Sequence, residues 1–471
     1  MRKRYRVGHE PPATVSRMIR LHDTASGTVR ELALREPGKV GMYVCGPTVY
    51  GPPHLGHGRF SLVFDVLRRY LEWTGLEVRY VSNITDIDDH IIDRANREGR
   101  TSEEIAVKCE AVWYEAMDAI GVKRPTVDPH ATAYVNEMIA LVAELIDRGR
   151  AYVTSDGVYL SVETIEGYGL LAHQSLEDMR AGGGDRSLVG EEKRSSADFV
   201  LWKLAKPGEP FWDSPWGAGR PGWHTECVVM SLDLLGEGFD LHGGGQDLAF
   251  PHHENERAQA VALGRRFAQH WVHNGFVEVG GEKMSKSLGN FTNLLDLIDS
   301  VDPRAYRLLV LQSHYRSPLE ISKETTDRAE RSLAGLDAFA RRVATEVPGS
   351  HPADPDAIRR FREAMEDDLD TPAAMALLFE SVRKVNVALD AGDVAAANPL
   401  VGAVMTMCEA VGLVLRGGVG DVPADVAALA AERDAARAAK DFVRADAIRG
   451  ELQAGGWIVE DSATGTLVRR S

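Results

Sequence analysis

The sequence predicts an α/β core interrupted by an insertion and followed by an all-helical region that ends in a small separate unit. Three observations lead there. A strand, a glycine- and proline-rich loop and a helix follow one another over residues 40–73; the alternation of strand and helix breaks between residue 151 and roughly residue 200, then resumes; and from residue 322 the pattern is almost entirely helical.

The first unit is a β-prone run, Val40 to Val44, then Cys45-Gly-Pro-Thr-Val-Tyr-Gly-Pro-Pro-His-Leu-Gly-His57, then Phe60 to Trp73, where Val63, Val66, Leu67, Tyr70 and Leu71 recur at helical spacing. A helix N-terminus offers unpaired N–H groups and the positive end of its dipole, so an anion is the expected guest. His54 and His57 stand at that entrance, where they can donate to phosphate oxygens. The Cys45 thiol follows the strand's carboxyl end, the usual ligand edge of an open α/β sheet. A loop with two histidines is also often only a loop, and the motif alone leaves both readings open.

Leu76 to Val81 reads as a second strand ending in Asn83-Ile-Thr-Asp-Ile-Asp-Asp89. Its carboxylates suit either a divalent metal or a helix start capped by Thr85 or Asp86, and the helix start explains them without an ion. A helix over Ala133 to Arg148 leads to Ala151–Leu160, where Asp156-Gly157 between β-prone runs signals a hairpin. Arg180-Ala-Gly-Gly-Gly-Asp-Arg186 has no strand leading into it and reads as a mobile loop.

Alternation resumes at Pro221-Gly-Trp-His-Thr-Glu-Cys227, with an apolar run from Val228 to Leu235 behind it. Further on, Pro251 can serve as a first helical residue, which places His252 and Glu256 at i and i+4 on one face. Histidine and carboxylate one turn apart form half of a zinc site, and Cys45 and Cys227 are candidates for the other half. Cys109 and Cys408 read as buried small hydrophobes. Gly280-Gly-Glu-Lys-Met-Ser-Lys-Ser-Leu-Gly-Asn290 suits a loop whose lysines and hydroxyls close on a polyphosphate, although such loops are also common on surfaces. Helices are expected over Ala329–Val343, Asp356–Met365, Thr371–Leu389 and Pro399–Val414. After a linker, Gly417 to Pro423, the side chains of Arg433, Arg437, Lys440 and Arg444 make one basic face if their helix is continuous, a candidate nucleic-acid footing.

Composition bounds the class. At 471 residues the chain is too long for one core. No run resembles a membrane span, the basic start Met1-Arg-Lys-Arg lacks the apolar core of a secretory signal, and four scattered cysteines make no disulfide framework. A cytoplasmic setting is the expectation. A formal charge of −16 argues mildly against nucleic acid for the chain as a whole, without excluding a local basic stripe.

Gly41-Met-Tyr-Val-Cys-Gly-Pro-Thr-Val-Tyr50, His54-Leu-Gly-His57, Asn83-Ile-Thr-Asp-Ile-Asp-Asp89, Gly222-Trp-His-Thr-Glu-Cys227, the run from His242 to Glu256, and Lys283-Met-Ser-Lys-Ser287 occur in an order that closely resembles the cysteinyl-tRNA synthetases of the first aminoacyl-tRNA synthetase class. The resemblance covers Met18 to Arg470. It implies ATP-dependent activation of L-cysteine to the adenylate and transfer to tRNA(Cys). It implies a doubly wound Rossmann-like catalytic domain, residues 18–125 and 206–275, divided by a connective insertion at 126–205. A loop region at 276–321, a helical anticodon-binding bundle at 322–418 and a small tRNA-binding domain at 424–471 would follow, with residues 1–17 as an extension.

By position, Cys45, Cys227, His252 and Glu256 match the ligands of one zinc ion. His54, His57, Lys283 and Lys286 match the groups that handle the ATP phosphates and adenylate, with Mg²⁺ accompanying ATP, and Thr48 joins the nucleotide contacts. Trp223 and Thr85 match residues of the cysteine pocket and Asp247 a partner for the substrate ammonium; Cys45, His224 and His242 complete the implied substrate contacts. Three departures stand out: His90 where lysine is usual, Gly51-Pro-Pro53 in place of a more polar and aromatic run, and Val468 where tryptophan is typical, which removes a stacking surface for a nucleotide. The rival readings are a mycothiol-pathway cysteine ligase acting on an amino sugar, which lacks the C-terminal region, and a non-catalytic RNA-binding paralogue, which should have lost a zinc ligand or a loop lysine. No dimerisation segment is visible, so a monomer is expected.

Overall fold

A computed structural model describes residues 19–176, 192–279, 282–283, 293–417, 424–462 and 465–470. An antiparallel pair, β1 (Arg20–Asp23) and β2 (Thr28–Glu31), precedes the central strand β3 (Lys39–Val44). Val40, Met42, Tyr43 and Val44 of β3 are buried, as befits a strand covered on both faces. The chain then runs through α1 (Leu55–Trp73) to β4 (Glu77–Val81), parallel to β3. After α2 (Asp89–Glu98), α3 (Ser102–Ala119) and α4 (Val135–Asp147), four short strands make a separate antiparallel sheet: β5 (Ala151–Val153), β6 (Gly157–Leu160), β7 (Phe199–Leu204) and β8 (Gly219–Pro221). The turn between β5 and β6 is the expected hairpin. This sheet continues past residue 205, where the insertion was expected to end, because β8 pairs with β7.

The chain returns through α5 (Trp223–Leu235) to β9 (Leu241–Gly245) and through α6 (Glu254–Ala262) to β10 (His270–Asn274). The central order is β10-β9-β3-β4, all parallel, which is the doubly wound sheet expected from the sequence. Winding reverses between β3 and β9, so the loops leaving their carboxyl ends diverge and open a crevice. A smaller sheet follows, with β11 (Val277–Val279) between β12 (Glu282–Lys283) and β13 (Leu319–Ile321). Around it lie α7 (Leu294–Ser300) and α8 (Pro303–Leu311), and then come the long helix α9 (Lys323–Glu346), α10 (Pro355–Met365), α11 (Thr371–Asp390) and α12 (Val394–Ala410). Phe361, Met365, Leu378, Val385 and Val401 are fully enclosed in this helical region.

The chain divides into two units, Met1–Ala334 with Ser350–Val414, and Gly335–Gly349 with Leu415–Ser471. Within the second, α13 (Ala424–Ala438), α14 (Phe442–Ala454) and the hairpin of β14 (Trp457–Ser462) and β15 (Gly465–Arg470) enclose Val426, Ile448, Leu452 and Val459. Val468, in place of a stacking aromatic, packs against that small core. No described helix is long and apolar enough to cross a membrane.

Several local expectations change. The first helix begins at Leu55, because His54 caps it. The cap of α2 is Asp88, whose side chain accepts from the His90 N–H; Thr85 and Asp86 do not cap it. Asp86 instead accepts from the Thr132 N–H and hydroxyl, and Asp89 pairs with Lys203 and Arg220, so these carboxylates diverge and make no cation site. Helix α12 starts at Val394 under an Asp393 cap, with Pro399 inside it. Regular helix after Pro251 begins only at Glu254, because Phe250 has extended backbone and residues 249–253 form a single wide turn.

The basic face also fails. Lys440 takes φ of 60° between α13 and α14, which places Arg444 on a different helix from Arg433 and Arg437. Arg433 is buried and donates to the Thr466 hydroxyl, while Arg444 pairs with Glu432. The glycine-rich stretch Arg180–Arg186, residues 1–17, the loop core around Lys286 and residues 418–423 of the linker lie outside the described residues.

Helix α1 is anchored by a buried ion pair. Asp65 sits 2.7 Å from Arg307 of α8 and 2.7 Å from Arg69, and it accepts from the Lys123 N–H. Burial opposes ionisation of Asp65, but Arg307 and Arg69 outweigh it and hold the carboxyl below its usual range. The stability it contributes is therefore complete above the unfolded carboxylate value of about 4 and is lost as pH falls through the lower folded value. Asp65→Asn is expected to cost about 3 kcal/mol near neutral pH, since it leaves a buried guanidinium without its counter-charge. Urea midpoints measured against pH should show the variant losing less stability than the parent below pH of about 4.

Candidate functional site

The crevice over the β3–β9 edge is a cavity of about 490 Å³. One wall is the start of α1. His54 Nδ1 accepts from the His57 N–H at 3.3 Å, and His57 Nδ1 accepts from the His54 N–H at 3.2 Å, a reciprocal cap of the kind Ser or Thr usually makes with Glu. An N–H on each Nδ1 leaves the proton of a neutral ring on Nε2, so each imidazole keeps one donor. The rings stack with centroids 3.7 Å apart, and Trp113 meets His57 edge-on. Burial pulls His54 down to about 4, only partly opposed by Asp247. Burial and the neighbouring His54 hold His57 well below the imidazole range. Both rings are neutral donors at neutral pH.

The opposite wall is Asn274–Val277, the stretch that leaves β10 and enters β11. The floor carries the donor cluster. Cys45 follows β3, with its N–H donating to the Gly243 carbonyl of β9; Cys227 lies on α5, His252 in the turn before α6, and Glu256 on α6. Cys45 Sγ lies 3.6 Å from Cys227 Sγ and 3.4 Å from Glu256 Oε1. His252 Nε2 lies 3.7 Å from Cys227 Sγ and 3.0 Å from the same Oε1. A tetrahedral zinc site with ordinary Zn–N and Zn–S lengths has edges of about 3.3–3.8 Å, so the three spacings that involve sulfur fit one and the His252–Glu256 edge is shorter.

Outer partners orient each ligand. Glu256 Oε2 meets His242 Nε2 at 2.7 Å, and His252 Nδ1 meets His224 Nδ1 at 2.7 Å. For His252 to offer a lone pair at Nε2 it must donate from Nδ1 to His224, which fixes both tautomers. A second set, Cys45, His242, His253 and Glu256, is as closely gathered. The first set is preferred because it holds both thiols, although His253 Nε2 and His242 Nδ1 of the second are buried without a hydrogen-bond partner. The donor chemistry also calls for a cation. Burial raises Cys45 and Cys227 above the usual thiol range, and burial, with His224 and His242 beside it, keeps His252 neutral.

Of the residues singled out in the sequence, Cys45, Thr48, His54, His57, Trp223, Cys227, Asp247 and His252 line the cavity, and so does His90, one of the departures from the family pattern. Trp223 stacks on the His252 ring at 3.9 Å. Thr85, His224, His242 and Glu256 stand one layer behind. The Thr85 hydroxyl donates to Glu226 and accepts from Asn83. Lys283 is described only as backbone, opposite Glu278 in the β11–β12 ladder, and Lys286 lies outside the described residues.

The reading from sequence missed Asn83. Its Oδ1 accepts from the Tyr43 hydroxyl at 3.1 Å and the Gly46 N–H at 2.9 Å and faces Cys227 Sγ at 3.8 Å, so it joins β3 and β4 to the donor cluster. Glycine at 46 is required there, since a Cβ would fall 1.7 Å from the Asn83 carbonyl oxygen. The available signal was position: Asn83 lies two residues past a strand's carboxyl end.

A family model described as the class I (C) tRNA synthetase catalytic domain matches residues 31–331, a DALR domain model matches 360–416, and a cysteinyl-tRNA ligase anticodon binding domain model matches 419–469. A cysteine–tRNA ligase of Thioalkalivibrio sulfidiphilus is 46% identical over 464 residues, which span 96% of this chain and 100% of the relative. One of Geobacter sulfurreducens is 44% identical over 478 residues, 95% of this chain and 98% of the relative. Among solved structures, a methionyl-tRNA synthetase of Mycobacterium tuberculosis matches with a TM-score of 0.59 at 16% identity, over 80% of this chain and 90% of that one. A LeuRS of Agrobacterium radiobacter matches with a TM-score of 0.60 at 12% identity, over 81% and 84%. These last two share the fold.

The reciprocal cap has a measurable consequence. Long-range ¹H–¹⁵N correlation spectra should show His54 and His57 as neutral rings with unprotonated Nδ1 from pH 8 down to pH of about 5. A charged ring at pH 6 for either would contradict the arrangement.

Proposed function

The chain belongs to the cysteinyl-tRNA synthetase family of class I aminoacyl-tRNA synthetases, and from that membership we propose how its crevice performs the family's reaction. Its activity is the ATP-dependent charging of tRNA with cysteine. The observation that carries the proposal is the gathering of two thiols, an imidazole and a carboxylate within 4.8 Å of one another, with Cys45, Cys227 and His252 in the wall of the cavity that His54 and His57 line and Glu256 just behind it.

In this reading Cys45, Cys227, His252 and Glu256 hold one zinc ion. Zinc bound there would supply a soft site that takes a thiolate and not a serine hydroxyl, a distinction that pocket shape alone makes only modestly. His224 and His242 keep His252 and Glu256 in their required tautomer and orientation. Trp223 closes the amino-acid side, Thr85 steadies it from behind through Asn83, and Asp247 receives the substrate ammonium. His54 and His57 donate from Nε2 to the phosphates of ATP, which arrives with Mg²⁺, and Thr48 lies beside them. Because the two imidazoles are neutral and already capped, they hydrogen-bond the phosphates without exchanging a proton.

The cysteine carboxylate then attacks the α-phosphorus in line, the bond to the β-phosphate oxygen breaks, and pyrophosphate leaves with its charge met by Lys283 and Lys286. The nucleophile is already an anion, so the protein's task is alignment and charge stabilisation. The terminal adenosine hydroxyl of tRNA(Cys) takes the acyl group and releases AMP. The match at residues 419–469 favours tRNA over an amino-sugar acceptor, since the amino-sugar ligases lack that region.

Pyrophosphate exchange with cysteine and with serine, before and after chelation, tests the reading. Exchange should require cysteine, fall with metal removal and return with zinc. Cys227→Ala should lose its zinc by elemental analysis and lower cysteine-dependent exchange by about 100-fold or more. Undiminished cysteine exchange in the metal-free protein would overturn the assignment of the four ligands.

A further inference from the structure

Arg59 occupies the second turn of α1, two residues beyond His57, and is 1% exposed. Among the described residues its guanidinium forms no ion pair, although Glu278 is near enough to favour its charge. It donates instead to five backbone carbonyls: Nη1 to Gly275, at 2.9 Å, and to Phe276, and Nη2 to His314 at 3.3 Å, Tyr315 at 3.2 Å and Ser317. Burial draws the side chain down to about 10, so it remains a cation at neutral pH. A buried guanidinium is a costly residue, tolerated where its planar fork meets several acceptors at once.

The carbonyls it reaches lie on two irregular stretches. Gly275 and Phe276 belong to the cavity wall opposite α1, while residues 314–317 run directly behind that wall. The Gly275 N–H donates to the Tyr315 carbonyl, and a Cβ on Gly275 would lie 2.5 Å from the Arg316 carbonyl oxygen and 2.7 Å from that of Ser317. The two stretches are thus in close backbone contact, and one side chain from the helix that carries His54 and His57 clasps both.

We propose that Arg59 is a positioning residue that sets the distance between the two walls of the nucleotide half of the site. It does not line the cavity and touches neither the donor cluster nor its outer partners. Removing it should therefore loosen the grip on ATP and leave cysteine recognition intact. The proposal rests on the reading that His54 and His57 hold the ATP phosphates, and it places the rest of the nucleotide along Asn274–Val277, which line the same cavity.

The test is pyrophosphate exchange by the full-length, zinc-loaded protein, with ATP and cysteine varied separately. Arg59→Met should raise KM for ATP about tenfold or more while KM for cysteine stays within about twofold and zinc content is unchanged, and Arg59→Lys should fall between because it keeps the charge without the fork. A purely structural role would lower thermal stability and move both KM values together, or move neither, and either result overturns the proposal. Should Arg59→Met fail to fold, Gly275→Ala probes the same joint from the other side with the guanidinium intact. An ATP-selective rise in that variant supports the proposal, and equal or absent changes in Gly275→Ala and Arg59→Lys overturn it. Failure of the parent protein to exchange pyrophosphate with cysteine would count against the functional reading instead.

Discussion

Glu256 is a fully buried carboxylate whose neighbours are two thiols and two imidazoles. Among the described residues no lysine or arginine reaches it, and His252 is kept neutral by burial and by the histidines around it. A carboxylate so enclosed is costly unless partners meet it, and the nitrogens that do so are those of His242 and His252. The four donors come from three stretches of the chain, and the reversal of winding between β3 and β9 lets those stretches meet at one edge of the sheet.

The insertion has a part in this. It breaks the strand and helix alternation, yet residues that follow β6 brace the helix bearing Glu256. The Tyr168 hydroxyl donates to Asn255 at 2.6 Å, the Leu171 N–H donates to Glu254 at 2.8 Å, and Arg257 ties Glu254 to the Gly167 carbonyl. Both residues preceding Glu256 are thereby fixed by side chains or backbone from outside the central sheet. A ligand on a helix is only as well aimed as that helix, and here the insertion does the aiming.

The donor set was legible in the sequence because its residue types are scarce and each follows a strand end or a turn: Cys45, Cys227, His252 and Glu256 needed only order and spacing. Depth was not legible. Thr85, His224 and His242 come next to cavity residues in sequence, yet they point one layer back, and a string of letters carries no layer. The pairing of His54 with His57 was visible, but their cap was not, since helix starts are sought at Ser, Thr, Asp or Asn. Arg59 and Asn83 escaped because a lone arginine in a helix and a lone asparagine after a strand normally face water. The basic face failed for the opposite reason: Arg433 to Arg444 keep helical spacing, while the break at Lys440 carries no proline or glycine to announce it.

The two halves of the crevice are made of different material. On the side proposed for the amino acid, the lining rests on side chains with partners behind them: His224 behind His252, His242 behind Glu256, Asn83 beneath the thiols. Changing one element type there, sulfur for oxygen, changes what the site can hold. On the nucleotide side, the geometry rests on a helix N-terminus capped by its own histidines and on a wall whose carbonyls are gathered by one guanidinium. Backbone of that kind is supplied by the fold and is indifferent to which amino acid is being activated. In the proposed reading, discrimination for cysteine is therefore concentrated in a few buried side chains, while the phosphate chemistry is left to the frame that carries them.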